Sequence, residues 1–339
     1  MILTCKIKHH RDFSDELLKA KRVAEYVVAH QPQSAKFSSS DVKQFGLKSV
    51  FSNQIIRKYG RDKKIKRVKH VILSHPNQGI KYNEQEQTIY IPPLKLEIKH
   101  NIPVVFEKIN QIEIDNEYLY VAVTVLEKLE YKTDKWIGVD RNTTGHVVVT
   151  GEPNSGKIMK LGKHAHHIHN KYRNIRKQFQ KQGKYKKVKQ MKNRESRIVR
   201  DLNHKISRKL VDTAKENDCG IKLEELKDIR NNKKQAKSFR YSLNSWSFYQ
   251  LQTMIEYKAK LLGVPIAYID PAYTSQTCSR CGHIGNRNSK SFECPTCGHV
   301  EHADVNAAFN IALSQNIVRF STESDVLKGN TDVPQVAMA

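Results

Sequence analysis

Four of the six cysteines are crowded into one stretch, as Cys278-Ser279-Arg280-Cys281 and Cys294-Pro295-Thr296-Cys297. Thiolates are soft donors, and two CxxC pairs can close a tetrahedral shell around one zinc ion. Gly282 and Gly298 follow the two pairs, and glycine permits the tight turns that aim both sulfurs of a pair inward. A thioredoxin-like redox pair would need only one CxxC. Because the four thiolates leave no position open for substrate, the zinc expected here is structural. Cys5 and Cys219 stand alone and read as small buried apolar side chains. Six cysteines are too few for a disulfide scaffold in a chain of 339 residues.

The second chemistry is carried by carboxylates. Asp140 ends the apolar run Trp136-Ile137-Gly138-Val139, Glu224 ends Gly220-Ile221-Lys222-Leu223, and Asp304 opens a helical stretch just after the cysteines. One acid at a strand end ordinarily faces water or caps the next helix. Three acids, each at the edge of a core element, allow a second reading. Carboxylates brought to one spot can hold two Mg²⁺ ions, which keep several waters and clamp the attacking and leaving oxygens of a phosphodiester. Spacing alone leaves both readings open.

Charge favours a phosphate-bearing partner. Lys and Arg number 59 against 34 Asp and Glu, a formal +25, and the isoelectric point is near 9.7. Such an excess points to a polyanion. It is steepest between Lys157 and Lys209, where 19 basic residues face two acids, Glu195 and Asp201. That is too lopsided for salt bridges along a helix. Lys171, Arg173, Arg176, Lys177, Lys184, Lys186 and Lys187 are the candidate phosphate contacts, and the interleaved Tyr172, Phe179 and Tyr185 are suited to base stacking or to core packing. His164, His166, His167 and His169 lie in the same segment and read as a nucleic-acid-facing or solvated surface rather than a metal site. Gly151-Glu152-Pro153-Asn154-Ser155-Gly156-Lys157 nearly spells a P-loop. Ile158 stands where Ser or Thr should reach Mg²⁺, and strands are expected on both sides, so the segment reads as a hairpin turn.

These residues need a scaffold. Hydrophobic residues are 38% and charged residues 27%, which excludes wholesale disorder, and no apolar run is long enough for a membrane helix or a secretory signal. A cytoplasmic, nucleoid-associated protein of two or three domains is expected. Residues 1–9 read as a strand, and Ser14 to about His30 and Ser38 to about Tyr59 as helices. Segments 88–91, 104–106 and 118–125 read as strands of a small antiparallel barrel or sheet. Residues 136–140, 146–150 and 157–161 form a three-stranded meander. Basic helices follow, then a strand at 220–224, a helix from Asn244 to Leu262, a strand at 264–269 and a helix at 304–313. A meander followed by alternating strands and helices implies an α/β domain with a mixed sheet. From Ser314 the chain is polar and shows no period.

The motifs resemble a known family. Gly138-Val139-Asp140-Arg141-Asn142, Arg200-Asp201-Leu202-Asn203-His204-Lys205-Ile206-Ser207, Leu223-Glu224-Glu225-Leu226-Lys227, Thr274 to Gly282, and Asp304-Val305-Asn306-Ala307-Ala308 occur in that order. Together they are similar to the TnpB family, transposon-encoded RNA-guided DNA nucleases related to type V CRISPR effectors. The likeness covers about residues 134–313. It implies an RNase H-like (RuvC) nuclease domain at 134–272 and 301–315 with an inserted zinc ribbon at 273–300. It also implies a wedge-like β-barrel at 1–12 and 71–133, a helical recognition insert at 13–70, and a loosely ordered tail at 316–339. The N-terminal third follows the family only in outline and is shorter than usual.

The resemblance makes Asp140, Glu224 and Asp304 the catalytic and Mg²⁺-binding acids, with Cys278, Cys281, Cys294 and Cys297 holding zinc. Glu225 stands where the family often has Asp. His302 stands where many members carry an acid. The implied partners are a guide RNA from the element's own end and a double-stranded target DNA, with no membrane and one protein chain per RNA. The implied activity is cleavage of guide-matched DNA beside a short flanking motif, as part of a transposable element. The competing readings are a guided repressor that binds without cutting, a RuvC-type nuclease without a guide, and a DNA-joining transposase.

Overall fold

The computed structural model describes residues 1–62, 64–226, 248–321 and 335–336. The chain divides into two compact units, residues 1–126 with 330–339, and residues 127–329. Among the described residues no helix is long and apolar enough to cross a membrane.

In the first unit, β1 (Ile2–Lys8) is followed by two helices, α1 (Ser14–Ala29) and α2 (Ser49–Arg61), before the chain returns to strands. β2 (Leu73–Pro76), β6 (Lys108–Ile114) and β7 (Tyr118–Thr124) join β1 in an antiparallel sheet, which β17 (Gln335–Val336) extends in parallel, in the order β17-β1-β7-β6-β2. A separate antiparallel sheet contains β3 (Lys81–Asn83), β4 (Thr88–Ile91) and β5 (Leu96–Lys99). The alternation expected at 118–125 is present: Leu119, Val121 and Val123 are buried between intermediate neighbours.

Three local expectations change here. Val104-Val105-Phe106 forms no strand; Pro103 precedes it, and Val105 is 87% exposed, so nothing covers an apolar face. The helix expected from Ser38 to Tyr59 is split, with a 3₁₀ segment at Ser39–Phe45 and α2 starting at Ser49. Gly46 adopts φ +68° between them, a conformation that ends a helix. β6 was hidden because a register shift between Ile109 and Gln111 breaks its alternation.

In the second unit, β8 (Trp136–Arg141), β9 (Val148–Glu152) and β10 (Lys157–Leu161) form the meander. Beyond β8 come β11 (Gly220–Glu224) and β12 (Ile266–Ile269), both parallel, and then β16 (Ile317–Phe320), antiparallel, in the order β10-β9-β8-β11-β12-β16. This is the mixed α/β sheet expected from the element order. The strand expected at 146–150 begins two residues later. The polar tail contributes β16, so part of the segment read as loosely ordered is a sheet strand, with Phe320 opposite Ala267. The sheet's periodic signal there is weak because β16 is an edge strand of four residues, three of them exposed.

Alternation along the central strands assigns their two faces. Ile137 and Val139 of β8, Ile221 and Leu223 of β11, and Ile266 and Tyr268 of β12 pack against α4 (Tyr185–Glu216) and α5 (Phe248–Leu262). The first four residues of the helix expected from Asn244 lie outside the described residues. Gly138 and Asp140 of β8, with Lys222 and Glu224 of β11, therefore share the opposite face. That face is covered by α6 (Ala303–Leu313). The ribbon hairpin β13 (Asn286–Asn288) and β14 (Ser291–Glu293), with β15 (Val300–His302), leads directly into α6.

Candidate nuclease centre

The distance between α6 and the sheet is set by glycine. A Cβ on Gly138 would lie 2.0 Å from the Ala308 carbonyl oxygen and 2.4 Å from the Ala312 nitrogen. One on Gly151 would lie 2.9 Å from the Phe309 ring. The helix backbone thus rests directly on the strand backbone. At its C-terminal end α6 is tied down by the buried Lys222, whose Nζ donates to the carbonyls of Ala312 (2.8 Å) and Ser314 (2.7 Å). A lysine at this end also complements the helix dipole. With the far end pinned, the first turn carries Asp304 to the ends of β8 and β11.

Register completes the placement. Leu223 pairs with Val139, so the next residues on these neighbouring strands, Glu224 and Asp140, lie side by side on the α6 face. Both are half-buried. Asn142 donates its amide to Asp140 Oδ2 (2.8 Å), and the Thr274 hydroxyl donates to Glu224 Oε1 (2.6 Å). Asp304 is buried, receives Lys290 Nζ at 2.6 Å and lies 3.5 Å from Arg287 Nη2. Lys290 Nζ also donates to Asn142 Oδ1 (3.2 Å). Asp140, Glu224 and Asp304 thus come together at the carboxyl ends of the central strands β8 and β11.

Their electrostatics show the crowding. Burial first, and the neighbouring charges of Glu224 and Asp304 next, push the Asp140 carboxyl up to about 7, against the opposing hydrogen bond from Asn142. Burial raises Glu224 as well, while the Thr274 hydroxyl and the Arg141 and Arg287 charges hold it back. Oxygen donors that cannot all stay ionised unaided suit a hard divalent cation such as Mg²⁺. The three carboxylates do not form a single tight cage: among the described residues, the four cysteines are the set whose donor atoms all lie within 4.8 Å of one another.

That sulfur set fits zinc. Cys278 Sγ lies 3.7 Å from Cys297 Sγ, and Cys281 Sγ lies 3.5 Å from Cys294 Sγ. A tetrahedron with Zn–S of about 2.3 Å places its sulfurs about 3.8 Å apart. Each CxxC is a matching turn, with Gly282 N–H donating to Cys278 O and Gly298 N–H to Cys294 O, both at 2.9 Å. The glycines adopt φ +77° and +69°, as the turn reading requires. Cys5 and Cys219 are buried, as expected of lone cysteines.

The ribbon is sewn to α6. Asn306 accepts from Ser279 N–H (2.9 Å) and donates to Thr277 O (2.7 Å), and Asn310 donates to Thr274 O (2.8 Å) and Thr277 O (2.6 Å). The hairpin tip delivers Arg287 and Lys290 to the acids, with Ala303 N–H donating to Lys290 O at 2.9 Å. Sequence reasoning did not single out Lys290, Arg287, Thr274, Lys222 or Asn142 as site residues. The readable signal was the i, i+4 pair Asn306/Asn310 inside a small-residue helix.

Glu225 is turned to another task, with Arg319 Nε donating to its Oε2 at 2.6 Å. His302 is the N-cap of α6: its Nδ1 accepts the Asp304 N–H at 3.3 Å.

The basic residues lie elsewhere, on α3 (His164–Lys181), on the short link after it and at the start of α4. Lys171, Arg173, Lys177, Lys184, Lys186 and Lys187 are exposed, whereas Arg176 forms an ion pair with Glu195. His164, His166 and His167 are exposed, but His169 is not part of a solvated surface. It is buried, with Nδ1 2.7 Å from Glu195 Oε1. His169 shares a helix face with Ala165 and Tyr172, both buried, which is why it turns inward. Gly151–Lys157 forms the β9–β10 hairpin, closed by Gly156 N–H to Glu152 O (2.9 Å), and no helix follows.

Parts of the chain are similar to known proteins. Residues 248–311 match the family described as "Cas12f1-like, TNB domain", the stretch holding α5, β12, the ribbon and most of α6. The CRISPR-associated endodeoxyribonuclease Cas12f1 of Sulfoacidibacillus thermotolerans is 44% identical over 126 residues, 36% of this chain and 28% of that one. A TnpB-like protein of Methanocaldococcus jannaschii is 38% identical over 141 residues, 40% of this chain and 51% of that one. These stretches make the chain similar to TnpB-like and Cas12f proteins. These matches span between about a quarter and about half of the relatives' own lengths. A solved Cas12f1–sgRNA–target DNA complex aligns with 92% of this chain and 99% of that protein, at 17% identity and a TM-score of 0.46.

Proposed function

We propose that this chain is an RNA-guided, divalent-cation-dependent DNA endonuclease of a transposable element, cutting guide-matched double-stranded DNA beside a short flanking motif. The observation that carries the reading is the convergence of Asp140, Glu224 and Asp304 from β8, β11 and α6. On this reading the six-stranded sheet with α6 is an RNase H-like (RuvC) nuclease domain, and the four cysteines hold a structural zinc that shapes a target-binding ribbon. The first unit serves as the wedge-like domain with its helical recognition insert.

Asp140, Glu224 and Asp304 would hold Mg²⁺. When bound, Mg²⁺ supplies a Lewis acid and a water of lowered pKa for attack on phosphorus. The chain's own residues do the rest. Asn142 and Thr274 each fix one oxygen of a metal-binding carboxylate. Arg287 and Lys290 bring positive charge beside the acids, complementary to a phosphodiester. Exposed Lys171, Arg173, Lys177, Lys184, Lys186 and Lys187 supply backbone contacts to nucleic acid. Base pairing with the guide RNA reads the sequence, and the protein reads the flanking motif and the heteroduplex shape.

The test is co-expression with the flanking non-coding DNA, then challenge of the purified complex with Mg²⁺ and a plasmid bearing a guide-matched target beside a randomised flank. Cleavage that needs the match and disappears in Asp140→Ala is the expected result. Guide-dependent binding without cleavage would support a repressor instead, and cleavage indifferent to the guide would support an unguided nuclease.

A further inference from the structure

Beneath the acid centre, on the face opposite α6, a ring of polar contacts encloses the carboxyl end of β11. Arg141 follows Asp140 in β8, so its side chain points to the α5 face, where it is buried. Its Nη2 donates to the Glu224 backbone carbonyl at 2.6 Å, and its Nη1 donates to Gln252 Oε1 at 3.0 Å. Gln252 Nε2 donates to Glu256 Oε1 (3.1 Å), and the Tyr268 hydroxyl donates to the same oxygen. Arg319 lies 3.8 Å over the Tyr268 ring and donates to Glu225 at 2.6 Å. The contacts run from Glu224 through α5 and β12 and return to Glu225.

The position of the ring suggests its purpose. The β8–β11 ladder ends at the pair Val139–Leu223. Glu224 is the last residue of its strand, where pairing would otherwise fade. On one side Glu225 N–H donates to Ile269 O (2.9 Å); on the other, Arg141 supplies the donor that the strand no longer offers. A guanidinium suits this place because its fork donates in two fixed directions at once. The buried charge is also offset by nearby acidic groups, Glu224 ahead of Glu256 and Asp140.

We propose that Arg141, held by Gln252, which Glu256 anchors in turn, is a positioning residue that fixes the carboxyl end of β11, so that Glu224 meets a divalent cation beside Asp140. This rests on the nuclease reading above. It concerns affinity for the cation, not contact with nucleic acid.

The experiment uses the full-length, zinc-loaded protein with its guide RNA. Mn²⁺ binding is measured by the loss of free-ion signal in electron paramagnetic resonance, alongside target-DNA affinity and the Mg²⁺ dependence of cleavage. Arg141→Lys keeps the charge but replaces two nitrogens held in a rigid fork by one nitrogen on a flexible stem. It should raise the Mn²⁺ midpoint about tenfold or more, leave target affinity within twofold, and recover much of its cleavage rate at high Mg²⁺. A midpoint within twofold of wild type overturns the proposal, and so does a loss of target affinity parallel to the loss of Mn²⁺ binding, which would mark general unfolding. If Arg141→Lys does not fold, Gln252→Met removes the middle link with little change in volume. A severalfold weaker midpoint is then expected, and an unchanged one is fatal. Asp140→Ala is the control: if it binds Mn²⁺ like wild type, the acid-centre reading itself has failed, and the inference falls with it.

Discussion

The zinc ribbon and the acid centre touch at the hairpin that carries Lys290, but they are assembled in opposite ways. The ribbon takes its four donors from positions 278 to 297, two matching turns set by two glycines, and a small core around Phe292. Its geometry is almost wholly local. The acid centre takes its donors from residues 140, 224 and 304, and only packing brings them together. That packing depends on a bare strand surface at Gly138 and Gly151, a buried lysine pinning one end of α6, and two asparagines sewing its other flank to the ribbon. A local site fails when a ligand is lost. A distributed site fails when any supporting distance changes, even far from the carboxylates.

The largest effect should follow loss of zinc. Without it, by chelation or in Cys278→Ser, the ribbon has too small a core to stay folded. Thr274, Arg287 and Lys290 would leave the acids, and cleavage should fall to background. The six-stranded sheet has its own core between β8, β11, β12, α4 and α5 and should survive. Hydrogen exchange reads both at once: ribbon amides become unprotected while β8 and β11 amides stay protected. Collapse of protection in the sheet as well would show that the two regions are one cooperative body.

Gly138→Ala attacks the distributed site without touching a donor. The added methyl meets the helix backbone at 2.0 Å, so α6 must move away or tilt. Overpacking of this kind costs about 1–3 kcal/mol, and a shift of an ångström in Asp304 can cost about 100-fold in rate. The expected result is a folded protein of reduced stability, with cleavage down by about that factor and zinc content unchanged. Near-normal cleavage would mean that the glycine contact does not set the acid geometry.

The same contrast explains what could be read in the sequence. The ribbon was legible because its ligands, spacing and turn glycines are neighbours in the chain. The acids were visible as strand-end carboxylates, but spacing alone could not choose between solvated ends and a metal site; only the resemblance in motif order pointed to the second. Lys290 and Lys222 were invisible among 59 basic residues, because nothing local distinguishes a lysine that caps a helix from one that faces water. His169 misled for a related reason. Its neighbours His164, His166 and His167 are exposed, and only the 165/169/172 face, together with one of the few acids in that segment, marked it as buried. β16 was lost because a short edge strand carries little period.

A smaller effect tests the packing behind the sheet. Lys258 of α5 is buried, with Nζ donating to His204 O (2.6 Å) and Ser207 Oγ (2.7 Å) of α4. Burial first, then the Arg208 charge, lowers its pKa from 10.5 to about 7, with Asp212 opposing. Between about pH 7 and 10.5 the unfolded chain therefore binds the extra proton, so this group makes stability rise with pH across that window. Below about 7 the cost of burying the charge is fully present. Lys258→Met should remove the rise, so wild type gains on the variant by an amount on the order of a few kcal/mol from pH 7 to 10 in urea titrations. Parallel curves for the two proteins would show that the amine stays charged in the folded state.

The smallest effect is assigned to His302, and it bears most directly on the boundary between the two regions. His302 ends the ribbon strand β15 and caps α6, two residues before Asp304. If its role is the cap alone, His302→Ala removes one long hydrogen bond of 3.3 Å. The loss should then sit at the low end for N-caps, about 0.5–1 kcal/mol. Asp304 would keep Lys290 and Arg287, and α6 would keep Lys222, Asn306 and Asn310. Cleavage should change by no more than about threefold. A loss near 100-fold with unchanged stability would instead place the imidazole within the reacting centre, and the distributed site would then have a fourth side chain whose position comes from the ribbon.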